Sequence, residues 1–422
     1  MNMEQFIVDQ IKYGLKYLPV NALKAKLVSS SSSETVCMRE KHGFIRGICH
    51  PNENYGQIKN ANIGWVRFDI PYPFDENGNI RGCFYDFKER CRGYAENGIK
   101  VMAVSPNPKE FIAAGVDVTD KANDEKVAEV SRFMINELRD VIGGVQVANE
   151  MGLPIFTLPV TLSQAAHFMG VTLKAMSEIK GDIIIGYNST SPQADLHLLM
   201  KPYHRYCDYV GMDIYMGCFF NFPGFMWCFD TLLDYLWAYT GKPILLQEFG
   251  YISGGAAKSP EEKKAILRRY GADSEEEAKQ NIESFVNALP ERLAEQVKLR
   301  SHGNVERYAD VLFNSDLVNH LYTELPKYTK IPGCEHTPEG QAKFYREILP
   351  RLYNKKYLVG AMIYCYSDSP MCYVCGQNEC PTETRWGIVD CDGKEKPSYY
   401  AVKEAFGKIA AESPVINFNG EK

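Results

Sequence analysis

From Gly43 onward, short apolar runs alternate with longer segments of helical period, and the alternation holds almost to the end of the chain. The runs are Phe44 to Cys49, Trp65 to Ile70, Lys100 to Val104, Val145 to Ala148, Ile183 to Tyr187, Tyr209 to Tyr215, Ile244 to Gln247 and Val359 to Tyr366. Each has strand length and reads as a parallel strand covered on both faces. Between them Val127, Val130, Met134 and Leu138 share a helical face. Met169, Leu173 and Met176 do the same behind the capping pattern Thr161-x-x-Gln164. Val402, Ala405, Phe406 and Ile409 form the last such stripe. Eight strand and helix units predict an α/β fold of one kind, a closed (β/α)8 TIM barrel over residues 43–412. No glycine-rich phosphate loop follows the first run, which weighs against an open dinucleotide-binding sheet.

Three stretches depart from the alternation. In residues 1–42, Ile7, Ile11, Leu15 and Leu18 predict an amphipathic helix, packed on the outside of the barrel or serving as a homo-oligomer contact. The run Ser29 to Ser33 predicts a flexible link. Residues 252–336, after the seventh run, are mostly charged and helix-forming, and residues 413–422 read as a tail. A loop this long on the C-terminal side of a barrel strand is either a lid or wall over a ligand or an exterior decoration.

Composition changes this picture little. The chain is 45% hydrophobic and 24% charged, ordinary for a large core, and its net charge of −6 lacks the basic excess that binds nucleic acid or anionic membrane. A neutral or polar small molecule is the expected partner. Asp9, Gln10 and Lys12 interrupt the opening apolar residues, and no run reaches the roughly eighteen needed to span a bilayer. Thirteen unevenly spaced cysteines fit a reducing cytoplasm better than a disulfide framework.

The chemistry concentrates at two run ends. Val145-Gln-Val-Ala-Asn-Glu-Met-Gly152 delivers Asn149 and Glu150 to the rim of the fourth strand, and Lys242-Pro-Ile-Leu-Leu-Gln-Glu-Phe-Gly-Tyr251 delivers Glu248 to the rim of the seventh. Burial there raises a carboxyl pKa toward the range of a general acid. A salt-bridged or helix-capping glutamate is the plainer alternative. Two carboxylates about 5 to 5.5 Å apart across a barrel mouth suit double displacement at a sugar carbon. Strict alternation sends Asn149 and Glu150 to opposite faces, so a bulge or strand end near Gly152 must turn one inward.

Ala148-Asn149-Glu150, Gln247-Glu248-Phe249-Gly250 and Trp65-Val-Arg-Phe-Asp-Ile70, in this order on strands 4, 7 and 2, resemble the clan A glycoside hydrolases. The likeness extends to Thr337-Pro-Glu-Gly-Gln-Ala342, Arg385-Trp-Gly-Ile-Val-Asp390 and Lys396-Pro-Ser-Tyr-Tyr400. The resemblance implies a retaining glycosidase without cofactor, with Glu150 as acid and base, Glu248 as nucleophile, Asn149 on a sugar hydroxyl and Tyr215 beside the nucleophile. Arg67, on the inward face with Trp65 and Asp69, is expected to supply the cation that separates the two carboxyl pKa values, or else to pair with Asp69 or Asp213. Many clan members close strand 8 with a tryptophan as sugar floor, whereas here the strand ends in Tyr364-Cys-Tyr366, so Tyr366 or Trp386 takes that place. His50, Asn52, Ser105 and Asn107 are further candidates for sugar hydroxyls, and Phe219, Phe220, Phe222, Phe225 and Trp227 for aromatic stacking or a packed loop. An exo mode on small glycosides is expected if the insertion closes the pocket. An inactive carbohydrate-binding barrel and a metal-dependent hydrolase are the rivals.

Cys372-x2-Cys375-x4-Cys380, followed by Cys391, forms a second constellation. Four thiolates in tetrahedral array make a closed structural zinc site, but the spacing lacks a second short pair, and free thiols are the default reading.

Overall fold

The computed structural model describes residues 32–190, 193–218, 225–325 and 330–413. The expected N-terminal stripe, Phe219, Phe220, Phe222 and the tail beyond residue 413 lie outside them. All eight apolar runs form parallel strands: β1 Ile45–Cys49, β2 Trp65–Asp69, β3 Lys100–Val104, β4 Gly144–Val147, β5 Ile184–Thr190, β6 Tyr209–Ile214, β7 Ile244–Phe249 and β8 Leu358–Ile363. Each pairs with its neighbours in sequence and β1 pairs with β8, closing the barrel. The physical reason is the one the sequence announced: a strand buried on both faces must be apolar throughout, and helices such as Asp124–Leu138 and Leu162–Ser177 cover the outer one. The Thr161 cap forms with both of its reciprocal bonds to Gln164.

Of the serine run only Ser32 and Ser33 are among the described residues, and there the chain is already entering a helix. Ser32 caps a helix over Ser33–His42, its hydroxyl accepting the Thr35 N–H at 3.2 Å. Arg39 on that helix donates to the carbonyls of Leu358, Tyr353 and Lys355 at 2.8, 3.0 and 2.9 Å and so fastens it to the base of β8.

The segment after β7 contains short helices at Pro260–Arg269, Glu275–Gln280, Ile282–Ala288, Glu291–Arg300, Tyr308–Phe313 and Leu317–Leu321. They enclose an apolar core of their own, built on Phe285, Leu293, Val297, Leu312, Leu317 and Leu321. Cys372, Val374, Cys375 and Cys380, from the loop after β8, belong to that same core. The insertion and the β8 loop are therefore packed as one body above the barrel.

Candidate active site

The end of β4 is bent by a backbone in the left-handed region. Ala148 has φ 56° and Glu150 φ 47°, conformations that cost a side-chain-bearing residue about 1–3 kcal/mol each. Three side chains capture the three successive N–H groups the bend exposes. Ser105 Oγ accepts from Ala148 at 3.0 Å, Asn107 Oδ1 from Asn149 at 2.8 Å and Asn188 Oδ1 from Glu150 at 2.9 Å. The turn brings Asn149 and Glu150, which alternation would have parted, to the same cavity. Ser105 and Asn107 thus shape the backbone at the β4 exit, and neither lines the cavity as a sugar contact. Their positions at the end of β3, facing the strand that must bend, account for the difference.

β7 carries a second irregularity. Its pairing with β6 slips between Met212 and Asp213, skipping Gln247. Both Gln247 and Glu248 consequently reach the barrel interior: Gln247 Nε2 donates to Tyr209 Oη at 3.0 Å, and Glu248 lines the cavity. Gly211 makes this fit, since a Cβ there would lie 2.0 Å from Gln247 Oε1.

Arg67 joins the two strands. Its Nη1 meets Glu248 Oε1 at 2.5 Å, its Nη2 donates to Asn149 Oδ1 at 2.6 Å and its Nε to Gln146 Oε1 at 2.7 Å. Burial alone would lower the Arg67 pKa, but Glu248, followed by Cys49, Asp213 and Asp69, outweighs it and holds the guanidinium well above its usual value. Tyr215 donates its hydroxyl to the other Glu248 oxygen. Asn149 Oδ1 also accepts from Gln146 Nε2 at 3.0 Å and Asn188 Nδ2 at 3.2 Å. With its oxygen taken by three donors, Asn149 has only its NH2 to offer a ligand.

Glu150 sits in a different environment. Desolvation, then the charge of Glu248, pushes its pKa from 4.5 up to about 8, against the opposing pull of Arg67. Asp213, which accepts from Asn188 Nδ2 at 2.5 Å, is pushed up by burial and by Glu248 and Glu150. Glu383, on the outer wall, is pushed up by burial, Cys372 and both glutamates.

These groups line one cavity of about 660 Å³. Trp386, Tyr364 and Tyr215 form an aromatic wall, with Trp386 5.0 Å from Tyr215 and 5.7 Å from Tyr364, centroid to centroid. His50 opens onto the same space edge-on to Tyr364, its pKa lowered by desolvation in spite of Asp69 and Glu248. Arg300, Asp316, Asn319 and His320 line the cavity from the insertion, which is therefore a wall of the pocket and not an exterior decoration.

Three further candidates are placed elsewhere than expected. Tyr366 turns away from the cavity and gives its hydroxyl to Gln57, leaving Trp386 and Tyr364 at the end of β8. The chain makes room for them at Gly250, where a Cβ would meet the Tyr364 carbonyl at 2.2 Å and Trp386 at 3.1 Å. Asn52 is exposed and accepts the Asn54 N–H at 3.0 Å, a turn contact outside the cavity. Cys391 is also exposed and apart from the other three cysteines, because the chain between them returns to the barrel, where Val389 bridges Ser367.

Gln146 and Asn188 were not singled out from sequence, although a signal existed. Gln146 is the single polar residue of an apolar strand and Asn188 opens the polar end of β5, and a buried amide requires partners.

No family model matches the sequence, and no curated protein does. Solved structures do match in shape. The Ignisphaera aggregans GH53 catalytic domain superposes with TM-score 0.51 at 14% identity, over 86% of this chain and 96% of that one. A family 39 glycoside hydrolase from the gut symbiont Bacteroides cellulosilyticus WH2 gives 0.51 at 12% identity, over 87% and 64%. This chain shares their fold. A GH2 beta-galacturonidase from Eisenbergiella tayi gives 0.48 at 14% identity; the alignment covers 86% of this chain and spans 51% of that protein's length. In the shared barrel, the residues described above stand at the C-terminal ends of the strands, the face on which such barrels carry their chemistry.

Proposed function

We propose that the protein is a retaining glycoside hydrolase that cleaves β-linked glycosides by double displacement. The observation that carries this reading is that one cavity holds two glutamates in opposite surroundings. Glu150 has its pKa pushed up to about 8, and Glu248 is ion-paired with Arg67 and hydrogen-bonded by Tyr215. Glu150 gives its proton to the glycosidic oxygen as the aglycone leaves, while Glu248 attacks the anomeric carbon and forms a glycosyl ester. Glu150, now ionised, takes a proton from water as that water attacks the same carbon and releases Glu248. The NH2 of Asn149 donates to the oxygen of the neighbouring sugar hydroxyl and holds the ring in position for attack.

The wall contributed by the insertion and the size of the cavity, within the roughly 300–1,000 Å³ of small-ligand pockets, support exo action on small glycosides or oligosaccharides. Glycoside hydrolases among the solved structures of like fold support the substrate class. Among the described residues no helix is long and apolar enough to cross a membrane. The cytoplasmic assignment rests on the many singly buried thiols.

The test is Glu248→Ala assayed on a panel of aryl β-glycosides with added azide. Turnover should fall by several orders of magnitude, as when a covalent nucleophile is removed. Azide should restore part of it and yield a glycosyl azide of inverted configuration. A carbohydrate-binding barrel gives no product from the wild type on any sugar while still binding it. A metal-dependent hydrolase gives turnover but no azide adduct.

A further inference from the structure

The Cys372, Cys375 and Cys380 side chains do not stand alone in the second core. His320, on the helix Leu317–Leu321 of the insertion, joins them, and the four ligand atoms lie within 4.8 Å of one another, all buried. His320 Nδ1 is 3.5 Å from Cys372 Sγ and 3.4 Å from Cys380 Sγ. In a tetrahedral zinc site with Zn–S about 2.3 Å and Zn–N about 2.0–2.1 Å, the sulfur to nitrogen edge is about 3.5 Å. The observed separations have that length.

The backbone supports the same arrangement. Cys372 and Cys375 sit on a tight turn in which Gly376 N donates to Cys372 O at 2.8 Å and Cys372 N to Gln377 O at 3.1 Å. Gly376 takes φ 75°, the left-handed conformation that lets the chain turn directly behind Cys375. Gln377 Nε2 then reaches across to the His320 carbonyl at 2.8 Å, fixing the helix that carries the imidazole against the loop that carries the thiols. Thr382 Oγ1 lies 3.0 Å from Cys380 Sγ, placed to donate to a thiolate there.

We propose that His320, Cys372, Cys375 and Cys380 bind one zinc ion in a closed Cys3His site. Four protein ligands fill the tetrahedron, so the site is structural and leaves no position for a catalytic water. The ion ties the insertion to the β8 loop, and both of these wall the cavity: His320 and Asn319 from one side, Tyr373, Val374 and Thr382 from the other. Binding deprotonates the thiols and makes the fold of this satellite body metal-dependent. The proposal does not depend on the glycosidase reading.

Full-length protein produced in zinc-containing medium and passed through gel filtration should carry one zinc per chain. X-ray absorption on that protein should show a shell of three sulfurs and one nitrogen, and cobalt(II) exchanged into it should give the intense visible bands of a tetrahedral thiolate complex. His320→Ala and Cys380→Ser should lose the metal, while Cys391→Ser, altered at an exposed cysteine outside the cluster, should keep it in full. Chelation should raise amide exchange in residues 260–321 and leave the barrel strands unchanged. Substoichiometric zinc with no cobalt bands overturns the proposal. So do a four-sulfur shell, loss of metal in Cys391→Ser, or a disulfide within the cluster in the protein as isolated. The spectroscopy on the wild type decides the matter if a variant does not fold.

Discussion

The barrel mouth and the satellite core above it face the same cavity, yet they are held by different forces. At the mouth, side chains hang from eight strands paired in a closed ring, and a buried guanidinium joins strand ends that are far apart in sequence. In the satellite, the helices run from 5 to 10 residues, below the length at which an isolated helix persists. Their order comes from an apolar cluster that takes in Cys372, Cys375 and Cys380 of the β8 loop. One wall of the pocket is therefore fixed by the global fold, and the other can loosen without unfolding the barrel.

The largest effect is expected where the two strand ends are joined. Arg67→Met leaves Glu248 as a buried carboxylate without its cation and should cost about 3–5 kcal/mol of global stability. The check is urea unfolding followed by both near- and far-ultraviolet dichroism, and all probes should shift together. Leu293→Ala, in the heart of the satellite, should cost about 2–5 kcal/mol, but locally. Hydrogen exchange should show residues 260–321 opening while β1 to β8 stay protected. A uniform rise across the barrel would erase the distinction between the two regions.

A pH-dependent effect sharpens it further. Because the folded-state pKa of Glu150 is raised from 4.5 to about 8, the native protein keeps a proton that the unfolded chain has lost between those values. Stability relative to Glu150→Gln should therefore fall as pH rises through this window, by at most about 1.4 kcal/mol per pH unit, and level off above it. Thermal melts of both proteins from pH 4 to 9 measure the difference. On the proposed mechanism, turnover also falls as pH passes about 8 and Glu150 loses its proton.

Much of the barrel was legible because its rule is local: an apolar run of strand length followed by a helical stripe, eight times over. The strand ends with Glu150 and Glu248 were legible for the same reason, as acids placed where apolar runs stop. The way they enter one cavity was not. Alternation sends Asn149 and Glu150 apart, and only the left-handed turn at Ala148 and Glu150, captured by Ser105, Asn107 and Asn188, brings them together. Likewise Tyr366 and Trp386 were equal choices for the pocket floor until the path of the β8 loop separated them.

The sequence by itself determined the number and order of strands, the acids at their ends and the presence of a cysteine-rich loop, because each depends on residues close together in the chain. Tertiary structure alone decided that Arg67 bridges Gln146, Asn149 and Glu248, and that His320 instead of Cys391 completes the cysteine cluster. Those partners are 79 to 181 residues apart in one case and 52 to 60 in the other, and no local pattern records which distant surfaces a closed barrel and its insertion will press together.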